Sequence, residues 1–196
     1  MATFSQSKLP RLESAWYHSR AAVFWTHTIE HRATGWLSPE FHSRFREILL
    51  HTCARHSLAC PAYVIMPDHW HLVWLGLCDD SDQLQATKFL REHVSATLQP
   101  VRLQPQAHDH VLRDEERKRG AFQSACHYIF ENPPRAELST DWTVWPYTGA
   151  MVSGYPQLDP RESDYWERFW RIHTKLTSPA RGPERELGEV MPPKAD

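Results

Sequence analysis

The chain has 196 residues, of which 41% are hydrophobic and nine are tryptophan, enough for one domain with a substantial core. Its formal net charge of −2 gives no overall attraction to nucleic acid, so a DNA-binding surface would have to be a local basic patch. No run of about 18 apolar residues is present, which argues against a membrane span. The four cysteines form no CxxC pair, and the N-terminus lacks the apolar core of a secretion signal, so we expect a cytoplasmic protein with free thiols.

Strand and helix patterns alternate along the chain. Segments rich in aromatic and β-branched residues predict four strands: Ala22–Ile29, Ala62–Met66, His69–Gly76 and His108–Arg113. Apolar residues at helical spacing behind capping residues predict four helices: Ser38 to about His56, Asp79 to about Leu98, Glu115 (capped by Asp114) to about Glu131, and about Glu162 to Leu176. We expect Pro61 to break the chain before a strand, whereas Pro67 and Asp68 are compatible with either a hairpin turn or a kink in one strand.

This order of elements favours an α+β domain with an antiparallel sheet and helices packed on it. A parallel βαβ sheet is the second possibility. A single domain is expected over residues 1–176, with a polar lead-in at 1–20 and a C-terminal helix at 161–176. The segment 177–196 is rich in proline, glycine and charge, which predicts disorder.

The triplet His69-Trp70-His71 places two imidazoles around one apolar residue. Side chains two apart in a strand share a face and lie about 7 Å apart along it, so both histidines would project together while Trp70 points into a core. Two imidazoles on one face can bind one divalent cation. Because the chain has 13 histidines, a solvated strand face with chance histidines is the alternative interpretation.

Tyr128 lies off the apolar stripe of the third predicted helix. That stripe comprises Phe122, Cys126, Ile129 and Phe130 and spans about 100° of the helix. The side chains on the face of Tyr128 are small (Ala121, Ser124 and Ala125), which leaves room for its hydroxyl in a cleft. Asn132, one turn later, could reach the same cleft. An ordinary half-buried tyrosine, with an asparagine ending the helix before proline, is the plainer interpretation.

Together the histidine pair and the tyrosine indicate one chemistry. A divalent metal on His69 and His71 can polarise a phosphodiester oxygen, and the hydroxyl of Tyr128 can attack the phosphorus to form a phosphotyrosine. Asn132 or Asp68 could complete the metal shell. Such cleavage conserves the energy of the broken bond and requires no ATP.

Three stretches, MPDHWH (66–71), DHVLRDEE (109–116) and YIFENPPRAEL (128–138), resemble the REP-associated tyrosine transposases, a group of single-tyrosine HUH transposases. The resemblance covers residues 22–155 and keeps the family's order of motifs. It implies a ferredoxin-like, RRM-like core of the HUH-endonuclease type. It also implies an enzyme that cuts and joins single-stranded DNA at hairpins with Mg²⁺ or Mn²⁺, as a monomer or a homodimer.

By this resemblance, His69 and His71 match the metal ligands, Tyr128 matches the nucleophile, and Asn132 matches a third ligand. Arg135, just past the tyrosine helix, is the best phosphate-binding candidate, and Arg113 is a further one. The chain departs from the family pattern at Asp68, where asparagine is usual, and in the segment after Asn132. There it has Pro134, and Glu137 replaces a glycine, which puts a tight turn or a phosphate approach in doubt.

Other candidate groups have structural explanations. Arg117, Lys118 and Arg119 follow three acids, as on a solvated helix start. The tryptophans 142, 145, 166 and 170 could stack on bases, but their spacing favours a core. His108 and His110 flank a charged residue and are interpreted as structural or surface groups. The rival functions are a non-catalytic module that binds nucleic-acid hairpins and an unrelated metal hydrolase.

Overall fold

The computed structural model describes residues 11–112 and 121–178. It contains a five-stranded antiparallel sheet with the strand order β4-β1-β3-β2-β5. The strands are β1 (Ala22–Thr28), β2 (Leu58–Met66), β3 (His69–Gly76), β4 (His108–Leu112) and β5 (Thr148–Val152). The helices are α1 (Pro39–Arg55), α2 (Gln83–Thr97), α3 (Ala121–Phe130), α4 (Asn132–Arg135) and α5 (Tyr165–Thr177). The first four strands with α1 and α2 form a βαββαβ unit of the ferredoxin type, as predicted.

Helices cover both faces of the sheet. On one face, α1 and α2 pack over a core that includes the fully buried Trp25, Trp70 and Trp74. On the other face, α3 and α5 pack over smaller side chains of β2 and β3, such as Ala62, Val64 and Val73. Since successive residues of β3 alternate between these cores, His69 and His71 face α3 while Trp70 faces α1, in agreement with the two-residue period.

Helix α1 begins where the sequence predicts. The hydroxyl of Ser38 accepts a hydrogen bond from the backbone N–H of Phe41 at 3.1 Å, and Pro39 occupies the first turn. Helix α2 starts later than predicted, because Asp82, and not Asp79, is the capping residue. Its Oδ1 accepts from the backbone N–H groups of Leu84 and Gln85 at 2.9 and 3.0 Å.

Strands β2 and β3 form a hairpin whose turn is Pro67-Asp68. Of the two possibilities left by the sequence, the hairpin is therefore present and the single kinked strand is not. The prediction that Pro61 breaks the chain is wrong, because β2 runs through it from Leu58. The pairing of β2 with both neighbours shifts register between Ala59 and Tyr63. A proline without an N–H is tolerated inside a strand at such a bulge, since no ladder bond is required there.

Two elements in the C-terminal third were not predicted. Strand β5 (TGAMV) has few β-branched or aromatic residues, so its sequence carries little strand signal. Helix α3 ends at Phe130, before the proline pair as predicted. However, Pro133 and Pro134 then lie inside the separate turn α4, where early helical positions need no N–H donor.

Some predicted features lie outside the described residues: Arg113, the cap Asp114, the basic run 117–119 and the tail from 179 onwards. Within the described ranges, none of the helices combines the length and the apolar character that a membrane crossing requires.

Candidate active site

The two histidines of β3 converge on one point. The Nε2 atoms of His69 and His71 lie 3.0 Å apart, and the rings meet edge to face with centroids 4.6 Å apart. Strand β3 lies between β1 and β2, so the backbone that carries the pair is held by ladders on both sides. His71 is buried, with 7% of its surface exposed, and His69 is half-buried.

Each imidazole is oriented by a hydrogen bond at its other nitrogen. Nδ1 of His69 lies 2.6 Å from Oδ1 of Asp68, and because a carboxylate only accepts, Nδ1 carries the proton and leaves the Nε2 lone pair free. Nδ1 of His71 lies 2.8 Å from the hydroxyl of Thr26, its partner on β1. A hydroxyl can donate or accept, so Thr26 permits both tautomers of His71.

The electrostatics of the site keep His71 neutral. Burial lowers the pKa of His71 to about 3, helped by the charges of His69 and Arg32 and opposed by Asp68. For Asp68, burial pulls the pKa upward, but hydrogen bonds and charges from His69 and Arg32 outweigh it and leave the pKa below its ordinary value. The site therefore offers one neutral imidazole beside an ionised carboxylate near neutral pH.

Tyr128 lies beside this pair on α3. The predicted stripe of that helix is buried, which anchors α3 on the sheet and leaves Tyr128 42% exposed. The Tyr128 ring centroid lies 6.0 Å from that of His71 and 5.9 Å from that of Phe24 on β1. Of its small neighbours, Ser124 is exposed and Ala125 half-buried. The structure thus brings the predicted nucleophile and one predicted metal ligand into ring contact.

Two residues of α4 contact the tyrosine. The guanidinium of Arg135 lies 5.0 Å from the centre of the Tyr128 ring, in a cation–π arrangement. The side-chain nitrogen of Asn132 donates to the backbone carbonyl of Tyr128 at 2.7 Å. A metal contact from Asn132 would therefore have to come from its Oδ1.

The spacing of the two histidine nitrogens fits a divalent cation. Two ligands at right angles, each about 2.1 Å from a metal, lie about 3 Å apart, which matches the Nε2 spacing of 3.0 Å. Two lone pairs at this distance repel each other unless a proton or a cation lies between them. Between residues 11 and 112 and between 121 and 178, no group of three or more His, Cys, Asp or Glu side chains could hold a metal. The rest of the shell would then be oxygen from other side chains, water or phosphate.

Asp68 was expected among the metal ligands, and the structure gives it other contacts. Its Oδ1 accepts from His69, and its Oδ2 accepts from Nη1 of Arg32 at 3.0 Å. In this arrangement the carboxylate orients the ring of His69, and direct ligation stays a prediction. Arg32 has a positive φ of 54° and follows His31 at 58°, so the backbone of the segment that carries Arg32 is strained.

Sequence reasoning missed three residues of this site: Thr26, Phe24 and Arg32. Each acts through a contact with a residue far away in the chain, and the only local signal is the face that Phe24 and Thr26 share on β1. His108 and His110 lie on the same face of the sheet, two strands from His71, since His108 is opposite Thr26 and Thr26 is opposite His71. Both are exposed, in keeping with their interpretation as surface groups.

Comparison with known proteins gives a likeness of fold. One solved structure, described as "Structure of the REP associates tyrosine transposase bound to a REP hairpin", aligns with a TM-score of 0.59 and 16% sequence identity. The alignment covers 95% of this chain and 99% of that chain. This chain therefore shares the α+β fold of that structure. No protein-family model matches the sequence, and no curated protein does.

Proposed function

We propose that this protein is a metal-dependent, tyrosine-type endonuclease and strand transferase that acts on single-stranded DNA at hairpins. The observation that carries the proposal is the meeting of three side chains: the converging Nε2 atoms of His69 and His71, and the ring of Tyr128 against His71. These residues come from two elements that are remote in the sequence. A fold similar to that of a hairpin-bound transposase supports the same conclusion.

In the proposed reaction, the hydroxyl oxygen of Tyr128 attacks a backbone phosphorus. The bond between phosphorus and the 3′ oxygen breaks, the 3′ oxygen takes up a proton, and a 5′-phosphotyrosine bond forms. A phenol holds its proton near neutral pH, so the proton of Tyr128 must be removed during attack. A cation held by His69 and His71 would give this help, since the ring centroid of His71 lies 6.0 Å from that of Tyr128. Attack by a free 3′ hydroxyl on the phosphotyrosine would reverse the step and rejoin DNA.

His69 and His71 would hold Mg²⁺ or Mn²⁺, with Asp68 orienting His69 and Asn132 as the proposed third ligand. The bound cation would polarise the scissile phosphate and lower the barrier to attack. Arg135 keeps one face of the tyrosine ring in place and presents its remaining N–H donors to a phosphate. Since Arg135 itself is exposed, it can contact a bound strand without rearrangement.

The decisive experiment is a denaturing gel of the protein with labelled hairpin-flanked single-stranded DNA and Mn²⁺. We expect a shifted covalent adduct that the variant Tyr128→Phe eliminates, while DNA affinity stays within a few-fold because the ring and its contacts remain. Tyr155→Phe is the matched control, because that ring contacts Lys175 and not the histidine pair. An adduct that persists in Tyr128→Phe would identify another nucleophile.

A non-catalytic hairpin-binding module is the second candidate. The observation that favours it is the absence, among the described residues, of a third His, Cys, Asp or Glu ligand beside the pair. Such a module would bind hairpin DNA with strong salt dependence and yield no adduct. Cleavage without an adduct that survives Tyr128→Phe would instead indicate a metal hydrolase. Equal affinity for duplex and hairpin DNA would contradict both the enzyme and the module.

A further inference from the structure

A cavity of about 410 Å³ lies on the face of the sheet opposite the histidine pair. Helix α2 contributes one wall, and the segment before β4 contributes the other. Arg11, which also lines it, lies 5.6 Å above the ring of Trp25, a residue of the core under α1 and α2. The sheet therefore separates this cavity from Tyr128, and the proposed cleavage reaction makes no use of it. Its size falls in the range of about 300–1,000 Å³ that small-molecule sites occupy.

The cavity is positively charged. Three cations line it, Arg11, Lys88 and Arg91, and no acidic residue of the described chain does. Arg91 donates to the carbonyls of Gln104 and Pro105, which are neutral groups. Arg11 is paired with Asp109 at 3.3 Å, whereas no described carboxylate pairs with Lys88 or Arg91. Burial, together with the charge of Arg11, lowers the pKa of Arg91. The two guanidinium groups therefore repel each other, and an anion bound between them would relieve this repulsion.

The wall of the cavity is mixed in character. Beside the three cations, it includes the apolar side chains of Leu84 and Pro105. Thr87 also lines the cavity, but it is 97% buried and its hydroxyl oxygen is inaccessible, so we assign it no contact with a ligand. The cavity thus combines cations with an apolar wall.

We infer that this cavity binds the phosphate group of a nucleotide, with the sugar or base against Leu84 and Pro105. Arg11, Lys88 and Arg91 supply charge-assisted hydrogen bonds to the phosphate oxygens. The volume is far larger than a phosphate ion requires, and the apolar wall suits the rest of a nucleotide. The phosphate group has two possible sources: a free nucleotide, or one nucleotide of a DNA strand that passes over this face.

Calorimetric titration of the whole protein with adenosine monophosphate tests the inference. We expect saturable binding that Lys88→Gln weakens about five-fold and Arg91→Gln about ten-fold or more. Arg44→Gln is the matched control, because Arg44 is an exposed arginine of α1 paired with Glu47, and its affinity should stay within two-fold of the parent. Lys88 is exposed, so Lys88→Gln tests the cavity even if Arg91→Gln fails to fold.

Two further titrations separate the sources. Competition by a short unstructured DNA oligonucleotide assigns the site to a DNA strand, and failure to compete assigns it to a free nucleotide. No saturable binding, or equal binding by the parent and Lys88→Gln, would overturn the inference. Inorganic phosphate binding as tightly as the nucleotide would overturn the assignment of the apolar wall. Tyr128→Phe should bind the nucleotide unchanged, so the outcome is independent of the proposed cleavage reaction.

Discussion

The convergence of His69 and His71 depends on the groups behind each ring. Asp68 fixes the proton of His69 on Nδ1, and the Thr26 hydroxyl accommodates either tautomer of His71. Without a cation, Nε2–H of His71 can donate to His69 while Thr26 donates to Nδ1. When both Nε2 lone pairs face a cation, His71 carries its proton on Nδ1 and donates a hydrogen bond to the hydroxyl oxygen of Thr26. This exchange lets the same backbone serve both states.

We therefore predict that Thr26→Val lowers Mn²⁺ affinity about 10- to 100-fold, the usual range for the loss of a group that orients a metal ligand. Valine keeps the shape of threonine but cannot accept a hydrogen bond from Nδ1–H of His71. Isothermal titration with Mn²⁺ measures the effect, and Thr97→Val, at the end of α2, is the control. Unchanged affinity in Thr26→Val would mean that Thr26 does not orient the ring.

Glu137 occupies a backbone position that favours glycine. Its φ is 57°, and the N–H groups of Glu137 and Leu138 donate to the carbonyls of Pro134 and Pro133 at 3.0 and 2.9 Å. This is the Schellman arrangement that ends a helix, with Glu137 at the left-handed position. Glu137, which stands where the family pattern has glycine, thus forms the same turn, but its backbone is strained there.

Glu137→Gly should stabilise the fold by about 0.5–1 kcal/mol, since glycine adopts a positive φ without the steric cost that a Cβ imposes. Urea denaturation of both proteins measures the difference. Glu137→Ala removes the charge but keeps the Cβ, so it should give no such gain. Equal stabilisation by both substitutions would mean that the charge, and not the backbone, is responsible.

The start of α2 shows how a cap selects among adjacent acids. The sequence DDSD (79–82) offers three carboxylates, and the helix uses the last, whose oxygen reaches two backbone donors. Asp79 instead lies within reach of Ser19 and Arg20 at the surface. Because α2 packs on the central tryptophans and also forms a wall of the cationic cavity, its start affects both regions.

Asp82→Ala should lower the free energy of unfolding by about 1 kcal/mol, the usual cost of losing an N-cap. Asp80→Ala, an exposed neighbour two residues earlier, should change it by no more than a few tenths of that amount. Thermal or urea unfolding followed by circular dichroism gives both values. If the two variants were equally stable, the capping bonds of Asp82 would be energetically unimportant.

Across the whole molecule, helices on both faces of the sheet bury several histidines in the neutral form. His42 of α1 is one of them: Nε2 lies 3.0 Å from the hydroxyl of Tyr63, which accepts from Arg46 at 2.7 Å. Tyr147 packs edge-on against its ring. Burial lowers the pKa of His42 to about 4, and the charges of Arg46 and Arg161 add to this shift.

A group whose pKa is lowered by folding takes up its proton first in the unfolded chain. Stability should therefore fall as the pH drops from about 6.5, the ordinary histidine value, towards about 4. His42→Gln keeps an acceptor for Tyr63 and cannot be protonated, so it should reduce the slope of unfolding free energy against pH by up to about 1.4 kcal/mol per unit. Urea titrations between these limits test this. An unchanged slope would place the acid sensitivity in other histidines.

Local periodicity in the sequence was sufficient to predict the shared face of His69 and His71, the buried stripe of α3 and the cap at Ser38. Each follows from atoms a few residues apart, since strand and helix repeats and capping bonds are short-range. The same repeats predicted that Tyr128 stands off the core, and the antiparallel α+β class followed from the order of elements and the motif resemblance.

The partners of those residues were decided by packing. That Thr26 stands behind His71 depends on the register of β1 against β3, and that Tyr128 meets His71 depends on how α3 docks on the second face of the sheet. Strand β5, and the bulge that admits Pro61, likewise depend on pairing with distant strands. Such contacts join segments with no local energetic link, so they are set by the fit of both cores around one sheet and leave no pattern in a single sequence.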